Sequence, residues 1–222
     1  MAAIEDETAT AKTFRLRLDR PSTHLAGQHY ILRLTAPDGY TASRSYSVAS
    51  APDGTELVDL TVERLPEGEV STFLHDEAMV GDVLELRGPI GGWFVWNADS
   101  PALLVGGGSG VVPLMAMLRL ARQRHQSDLV RLLVSVRTPE HLYYSDELSG
   151  PETTIIYTGK ASQGTLRPLG RISEADLSPL LSPDATVYVC GSSAFADAAT
   201  DAVMALGAPT ERIRVERFGP TR

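Results

Sequence analysis

The stretch PALLVGGGSGVVPLMAMLRLAR, Pro101 to Arg122, decides the fold. Its first five residues form an apolar run. Three glycines follow at 106–108, with a fourth at Gly110, and apolar residues then recur at helical spacing. The order reads as strand, tight turn and helix start. In open α/β sheets ligands bind beyond the carboxyl ends of the strands. A helix N-terminus there offers free N–H groups and a positive dipole end, which suit a phosphate. Glycine lets the backbone turn sharply and come close to a ligand. Gly107, Gly108, Ser109 and Gly110 therefore read as a cradle for a nucleotide pyrophosphate. A tight turn without a ligand stays open as the other reading. Three sharper motifs fail at Val111: a P-loop needs Lys there, while G-x-S-x-G and G-x-G-x-x-G both need Gly.

On either side of this stretch the chain reads as two halves. From Lys12 to Trp96 short strands are predicted in KTFRLRLD, QHYILRL, SRSYSVAS, ELVDLTVER and DVLELRG, punctuated by Gly and Pro turns. In ELVDLTVER, Val58, Leu60 and Val62 share one face and Asp59, Thr61 and Glu63 the other. One helix is predicted at Glu69–Ala78. This pattern suggests a small antiparallel barrel or sandwich. After Asn97, apolar strands alternate with helices, including a short helix in PEHLYYSDEL (139–148). That alternation argues a doubly wound parallel sheet. The fold class expected is an N-terminal antiparallel β-barrel followed by a doubly wound α/β domain. The expected division is 1–97 and 98–222, with the boundary in WNADSP. The acidic start, MAAIEDETATAK, reads as a poorly ordered leader.

Composition narrows the function classes. The formal net charge is −8 and no Lys/Arg cluster stands out, which argues against nucleic acid as a partner. No apolar run approaches a membrane span. A single cysteine, Cys190, excludes a disulfide within this sequence and leaves a four-thiolate iron–sulfur cluster without ligands. The five histidines show no paired ligand spacing, so no protein-bound metal is expected. The expected compartment is the cytoplasm. At the end of the predicted strand Leu129–Val136, Ser135 and Arg137 precede any acid. A hydroxyl with a guanidinium suits a 2′-phosphate, which leans toward NADPH, with NADH possible. A solvated Arg137 remains the alternative.

RSYSVAS, GEVSTFLHD, GPIGGWF and VGGGSGVVPLMAML, in that order, resemble the ferredoxin–NADP reductase superfamily. A fifth segment, YVCGSSAFADAATDAVMALGAPTERIRVERFG, resembles its Cys-Gly strand end, helix and closing Glu-x-Phe. The resemblance spans about Lys12 to Gly219. It implies an FAD-binding barrel (1–97) and an NAD(P)-binding domain (98–222). Carried over, Arg44 pairs with the flavin phosphates, Tyr46 packs on the isoalloxazine, and Ser47 lies at its reactive edge, with Ser45 between them. Gly68, Val70 and Ser71 bring amides and a hydroxyl to the pyrophosphate. Ser71 or Thr72 is also a plausible helix-entry residue. Glu63, Glu69, His29 and Tyr30 join the implied flavin contacts. Two phosphate segments favour FAD over FMN.

In the second half, the resemblance puts Gly107, Gly108, Ser109 and Gly110 at the nucleotide phosphates and Cys190 and Gly191 at the nicotinamide. A buried Cys190 acting as a small hydrophobe is the competing reading. Ser47, Cys190, Glu216 and Phe218 form the implied catalytic set. The sequence departs from the plant-type pattern, which ends on an aromatic, because Gly219–Arg222 follow Phe218. The activity implied is an NAD(P)H-dependent flavoprotein reductase that passes electrons to a separate acceptor: a ferredoxin, a haem protein or another redox protein. The alternatives are an electron-transfer subunit with little nicotinamide turnover, and a nucleotide-binding regulatory module.

Overall fold

The structure is a computed structural model, and it describes residues 1–219. The first half comprises β1 (Ala3–Thr8), β2 (Ala11–Arg17), β3 (His29–Thr35), β4 (Thr41–Ser47), β5 (Leu57–Glu63), helix α1 (Glu69–Asp76) and β6 (Glu85–Ile90). Two antiparallel sheets form, in the orders β1-β2-β5 and β4-β3-β6. A bridge between Val48 and Leu60 joins them. The alternating residues Phe14 and Leu16, Tyr30 and Leu32, and Val58, Leu60 and Val62 point into one shared core, which Val70 and Leu74 of α1 close. Side chains at period two on each strand thus meet in one layer, as the barrel expectation required.

The second half comprises β7 (Ala102–Gly107), α2 (Val111–Gln123), β8 (Val130–Val136), β9 (Thr153–Tyr157), α3 (Glu174–Leu177), β10 (Thr186–Ser192), α4 (Ser193–Ala205) and β11 (Ile213–Phe218). The strands are parallel, in the order β11-β10-β7-β8-β9. Winding reverses between β7 and β10, and that reversal opens a crevice at their carboxyl ends. Helix α2 is buried nearly all round, from Val111 to Ala121. One side packs on β7 and β8, and the same cluster takes in Ala49, Phe94 and Trp96 from the first half. A helix apolar on every side needs cover on every side, and here both halves supply it.

Two expectations are corrected. The acidic start is strand β1, with Ile4 opposite Phe14 and Glu5 opposite Thr13. An unpaired edge on β2 would leave its N–H and C=O groups exposed, so even a polar segment pairs there. The segment 139–148 is two 3₁₀ turns, Pro139–His141 and Ser145–Glu147, divided by Tyr144 at φ 56°. A left-handed residue breaks the predicted helix. On β5, Asp59 and Thr61, on the face opposite Val58, Leu60 and Val62, are buried as well, because the second half covers that face.

Candidate functional site

Residues of β4 alternate between two faces. Tyr46, Arg44 and Ala42 lie opposite Tyr30, Leu32 and Leu34 of β3, whereas Ser47, Ser45 and Ser43 lie opposite His29, Ile31 and Arg33. Arg44 is exposed, and its one hydrogen bond goes to the Ser43 carbonyl at 2.7 Å. Among the described residues no carboxylate pairs with it. Tyr46 is half-buried against the barrel core, and burial raises its phenol to about 12, partly offset by the Arg44 charge. Helix α1 packs on β4 and begins at Glu69. Its first turn leaves backbone N–H groups without intrahelical partners. An unpaired guanidinium, an aromatic face and free amides on one side of one strand fit the diphosphate and ring of a flavin dinucleotide.

Some implied contacts fall elsewhere. Tyr30 turns inward, is buried, and its hydroxyl lies 3.1 Å from Ser22 Oγ. Only its backbone can reach a ligand. Ser45 points to the face opposite Arg44 and Tyr46. Glu63 lies at the exposed end of β5, where its charge acts on the Tyr143 phenol rather than on anything near Arg44. The Ser71 hydroxyl donates to the Gly68 carbonyl at 3.1 Å and accepts from Leu65 N–H at 3.2 Å. It is therefore engaged within its own loop, as is the Gly68 N–H, which donates to the Leu65 carbonyl at 3.0 Å, and the amides of Glu69 and Val70 remain. A Cβ on Gly68 would press into that same hydroxyl, which accounts for the glycine without a ligand. Val70 itself is a core residue.

The glycines of the quoted loop divide in the same way. A Cβ on Gly110 would overlap the Cys190 carbonyl, and one on Gly107 would stand 2.5 Å from the Phe195 ring. One on Gly106 would crowd Leu114 and Val111. Three glycines thus let β7, β10, α2 and α4 pack closely. Gly108 differs: its φ is +55° and nothing lies within 4 Å. It is exposed, beside Ser109, at the start of α2, whose first turn carries no acid.

Strand register brings the other residues to the same edge. Cys190 lies beside Gly106 and Glu216, Gly107 beside Ser135, and Ser192 beside Phe218. Cys190 is fully buried, and burial with the nearby Glu216 charge pushes its thiol well up, so it is no thiolate nucleophile. Glu216 is half-buried with no hydrogen-bond partner among the described residues, and burial raises its carboxyl to about 7. Phe218 packs half-buried against the central cluster. Of the four residues that follow Phe218, Pro220–Arg222 lie outside the described residues. Ser135 is buried, and Arg137 is exposed. The Arg137 carbonyl accepts from Gly159 and Lys160 N–H groups.

The segment after β6 joins the two sets. His29 pairs with both Ser47 and Ile90. Arg214 of β11 grips the Trp93 and Val95 carbonyls at 3.1 and 2.8 Å and stacks over the exposed Trp93 ring. Phe94 and Trp96 are core. Sequence reasoning missed Lys160, which pairs with Glu140 at 3.5 Å beside Arg137, and Tyr40, whose hydroxyl meets Glu69. It also missed the joint between the halves, although Arg119, set between Leu118 and Leu120 in a largely apolar helix, is a legible signal. Among the described residues there is no helix long and apolar enough to cross a membrane and no cluster of metal-ligand residues.

The family model for the oxidoreductase FAD-binding domain matches residues 1–95, and that for the oxidoreductase NAD-binding domain matches residues 104–201. The flavohemoprotein of Chromobacterium violaceum is 32% identical over 85% of this chain and 51% of its own length. The ferredoxin–NAD(P)(+) reductase component of a Pseudomonas putida naphthalene 1,2-dioxygenase system is 27% identical over 99% of this chain and 68% of its own. The chain therefore spans about half to two thirds of these relatives. Among solved structures, the flavohem-like FAD/NAD-binding domain of a Vibrio cholerae nitric oxide dioxygenase superposes with a TM-score of 0.86 at 24% identity. The match covers 98% of this chain and 96% of that one. A cytochrome P450 reductase from Amycolatopsis gives 0.83 at 27% identity, over 99% of this chain and 68% of that one.

Proposed function

The chain belongs to the ferredoxin–NADP reductase superfamily, and from that premise we propose that it is an FAD-dependent NAD(P)H oxidoreductase. In this reading, residues 1–97 bind the flavin and 98–222 the nicotinamide nucleotide. Bound FAD would accept hydride and release electrons onward, chemistry that belongs to the cofactor. The protein supplies placement. Arg44 and the first amides of α1 hold the diphosphate, Tyr46 backs the ring, and the backbone of Ser47, whose buried side chain turns to the other face of β4, runs along its edge with the His29 backbone alongside. Gly108 and Ser109 receive the nucleotide phosphates at α2. Cys190 and Gly191 form a dry, tightly packed floor at the sheet end. Glu216 retains a proton near neutral pH because burial disfavours its charge. Phe218 stands beside Ser192 on the outer strand.

Arg137 and Lys160 at the rim favour NADPH, with NADH as the weaker donor. The electron acceptor is a separate redox protein, a ferredoxin or a haem protein. The compartment is the cytoplasm, in keeping with one reduced, buried cysteine. The observation that carries this reading is the strand register that sets Glu216 beside Cys190 and Cys190 beside Gly106 at the carboxyl end of the parallel sheet, next to an open Gly108. The test is the visible spectrum of the purified protein after incubation with FAD, then with NADPH or NADH without oxygen. A bound flavin band that bleaches faster with NADPH is expected. Failure to retain FAD, or a bound flavin that neither nucleotide bleaches, overturns the reading.

A further inference from the structure

Arg119 ties the helix that follows the glycine loop to the turn that follows β4. It lies on α2, eight residues or about 12 Å beyond Val111 and the helix start at Gly108 and Ser109. Its Nη1 crosses the joint and donates to the Ala49 carbonyl at 2.9 Å. Ala49 is fully buried, two residues after Ser47. The first half holds this turn by its amides: Val48 and Ala49 N–H donate to the Gln28 and Asp59 carbonyls at 2.9 and 2.8 Å. Asp59 is itself gripped by Arg15 at 2.8 and 3.0 Å. The turn is thus fixed to the barrel through two amides and to α2 through a carbonyl.

The guanidinium has little freedom of its own. Its Nε and Nη2 make a two-point pair with the Glu147 carboxylate, and it lies 4.8 Å from the centroid of the Tyr144 ring. Tyr144 is anchored in turn to Glu7 and Thr61 of the first half. Arg122, one turn further along α2, gives the contrast. It pairs with Glu152 and donates to the Glu147 carbonyl, both within the second half. The two ion pairs share a helix, and Arg119 is the one of the two that reaches the first half.

Resting on the oxidoreductase reading above, we propose that Arg119 is a positioning residue for hydride transfer, acting through Ala49 to set the flavin against the nicotinamide. The two reacting rings are held by different halves, so their separation depends on the joint. The hydride leaves the nicotinamide with its bonding electron pair and joins the flavin, oxidising one and reducing the other. Such a step needs near contact, and a misplacement of about 1 Å can slow it about 100-fold.

The experiment is anaerobic stopped-flow reduction of the FAD-loaded protein by NADPH or NADH, over concentrations that separate the limiting rate from nucleotide binding. Wild type is compared with Arg119→Lys, Glu147→Gln and Arg122→Lys, and far-ultraviolet circular dichroism checks each fold. Lysine keeps the charge but loses the planar fork that serves Ala49 and Glu147 together. Arg119→Lys should lower the limiting rate about ten-fold or more and weaken the long-wavelength absorbance of the stacked rings, with nucleotide and FAD affinities within about two-fold of wild type. Glu147→Gln, which loosens the fork but keeps Arg119, should lower the rate by a smaller factor, and it carries the test if Arg119→Lys does not fold. Arg122→Lys should leave the limiting rate within about two-fold. An unchanged limiting rate in the folded variant of the Arg119–Glu147 pair, an equal fall in Arg122→Lys, or a loss confined to nucleotide affinity overturns the proposal. A wild-type flavin that neither nucleotide bleaches overturns the oxidoreductase reading itself, which is a distinguishable failure.

Discussion

The closed joint between the two halves and the open surface around β4 and the carboxyl ends of the parallel strands use the same kinds of residue in opposite ways. On the closed side every polar group is engaged. The Tyr144 hydroxyl donates to Thr61 Oγ1 at 2.6 Å, Thr61 meets Thr13 at 2.7 Å, and Thr13 donates to Glu7 at 2.6 Å. The other Glu7 oxygen accepts the Tyr144 N–H at 3.0 Å, which closes the ring. Arg119 pairs with Glu147, reaches the Ala49 carbonyl and lies over the Tyr144 ring. On the open surface, among the described residues, Arg44 of β4 has no carboxylate beside it, Glu216 at the sheet end has no hydrogen-bond partner, and a Cβ on Gly108 would meet no atom. Satisfied polar groups are building material. Unsatisfied ones at a crevice mark where a ligand completes the structure.

The glycine loop gives the sharpest way to break this distinction, because it holds both kinds of residue two positions apart. Gly110→Ala drives a methyl group into the Cys190 carbonyl between two buried elements. A stability loss of roughly 3 kcal/mol or more is expected by chemical denaturation, since backbone cannot step aside. Gly108→Ala meets no atom and costs only the left-handed φ, about 1 kcal/mol. Its main effect should appear as a raised KM for the nicotinamide nucleotide. Equal stability losses at the two positions would erase the division.

The closed side is tested by Thr61→Val. That change leaves the Tyr144 hydroxyl buried without an acceptor, a cost of about 1–3 kcal/mol. Tyr144→Phe removes donor and hydroxyl together and should cost less. In the double variant the orphan is gone, so its loss should fall below the sum of the two single losses in a double-mutant cycle. Additive losses would mean that the two hydroxyls do not act on each other.

Much of this layout was legible in the sequence, and what was missed has a common cause. Alternation in ELVDLTVER separates two faces of β5 correctly, but it does not say that a second half covers the face with Asp59 and Thr61. The apolar run of α2 from Val111 to Leu118 shows that it is buried, and Arg119 after it hints at a joint without naming Glu147 or Ala49. The strand β1 was missed because AIEDET is too acidic to suggest burial, although Glu7 is used twice. The helix expected over 139–148 fails at Tyr144, whose left-handed backbone is held by bonds to Glu7 and Thr61 far away in sequence. Four clustered glycines look alike as letters. Only the neighbours of each missing Cβ separate packing from an open approach.

The two sides also predict opposite responses to pH. His24 belongs with the satisfied groups: its Nδ1 lies 2.8 Å from Ser22 Oγ and its Nε2 3.2 Å from the Ser50 carbonyl, and burial lowers its pKa below 6.5. The unfolded chain binds that proton first, so His24 costs stability as pH falls below 6.5. Glu216 is the reverse. Burial raises it from 4.5 to about 7, so the folded chain binds the proton more tightly, and stability is lost as pH rises through about 7. Glu216→Gln removes a half-buried charge that has no hydrogen-bond partner among the described residues. It should gain of order 1–2 kcal/mol at pH 8, discounted from the full shift because the side chain is partly exposed, and almost nothing at pH 4. Denaturant midpoints of both proteins across that range measure it. A gain at pH 8 would show that Glu216 is kept against the interest of stability, as expected of a group placed for a ligand. A loss there would mean that the carboxylate has a structural partner and belongs with the closed side.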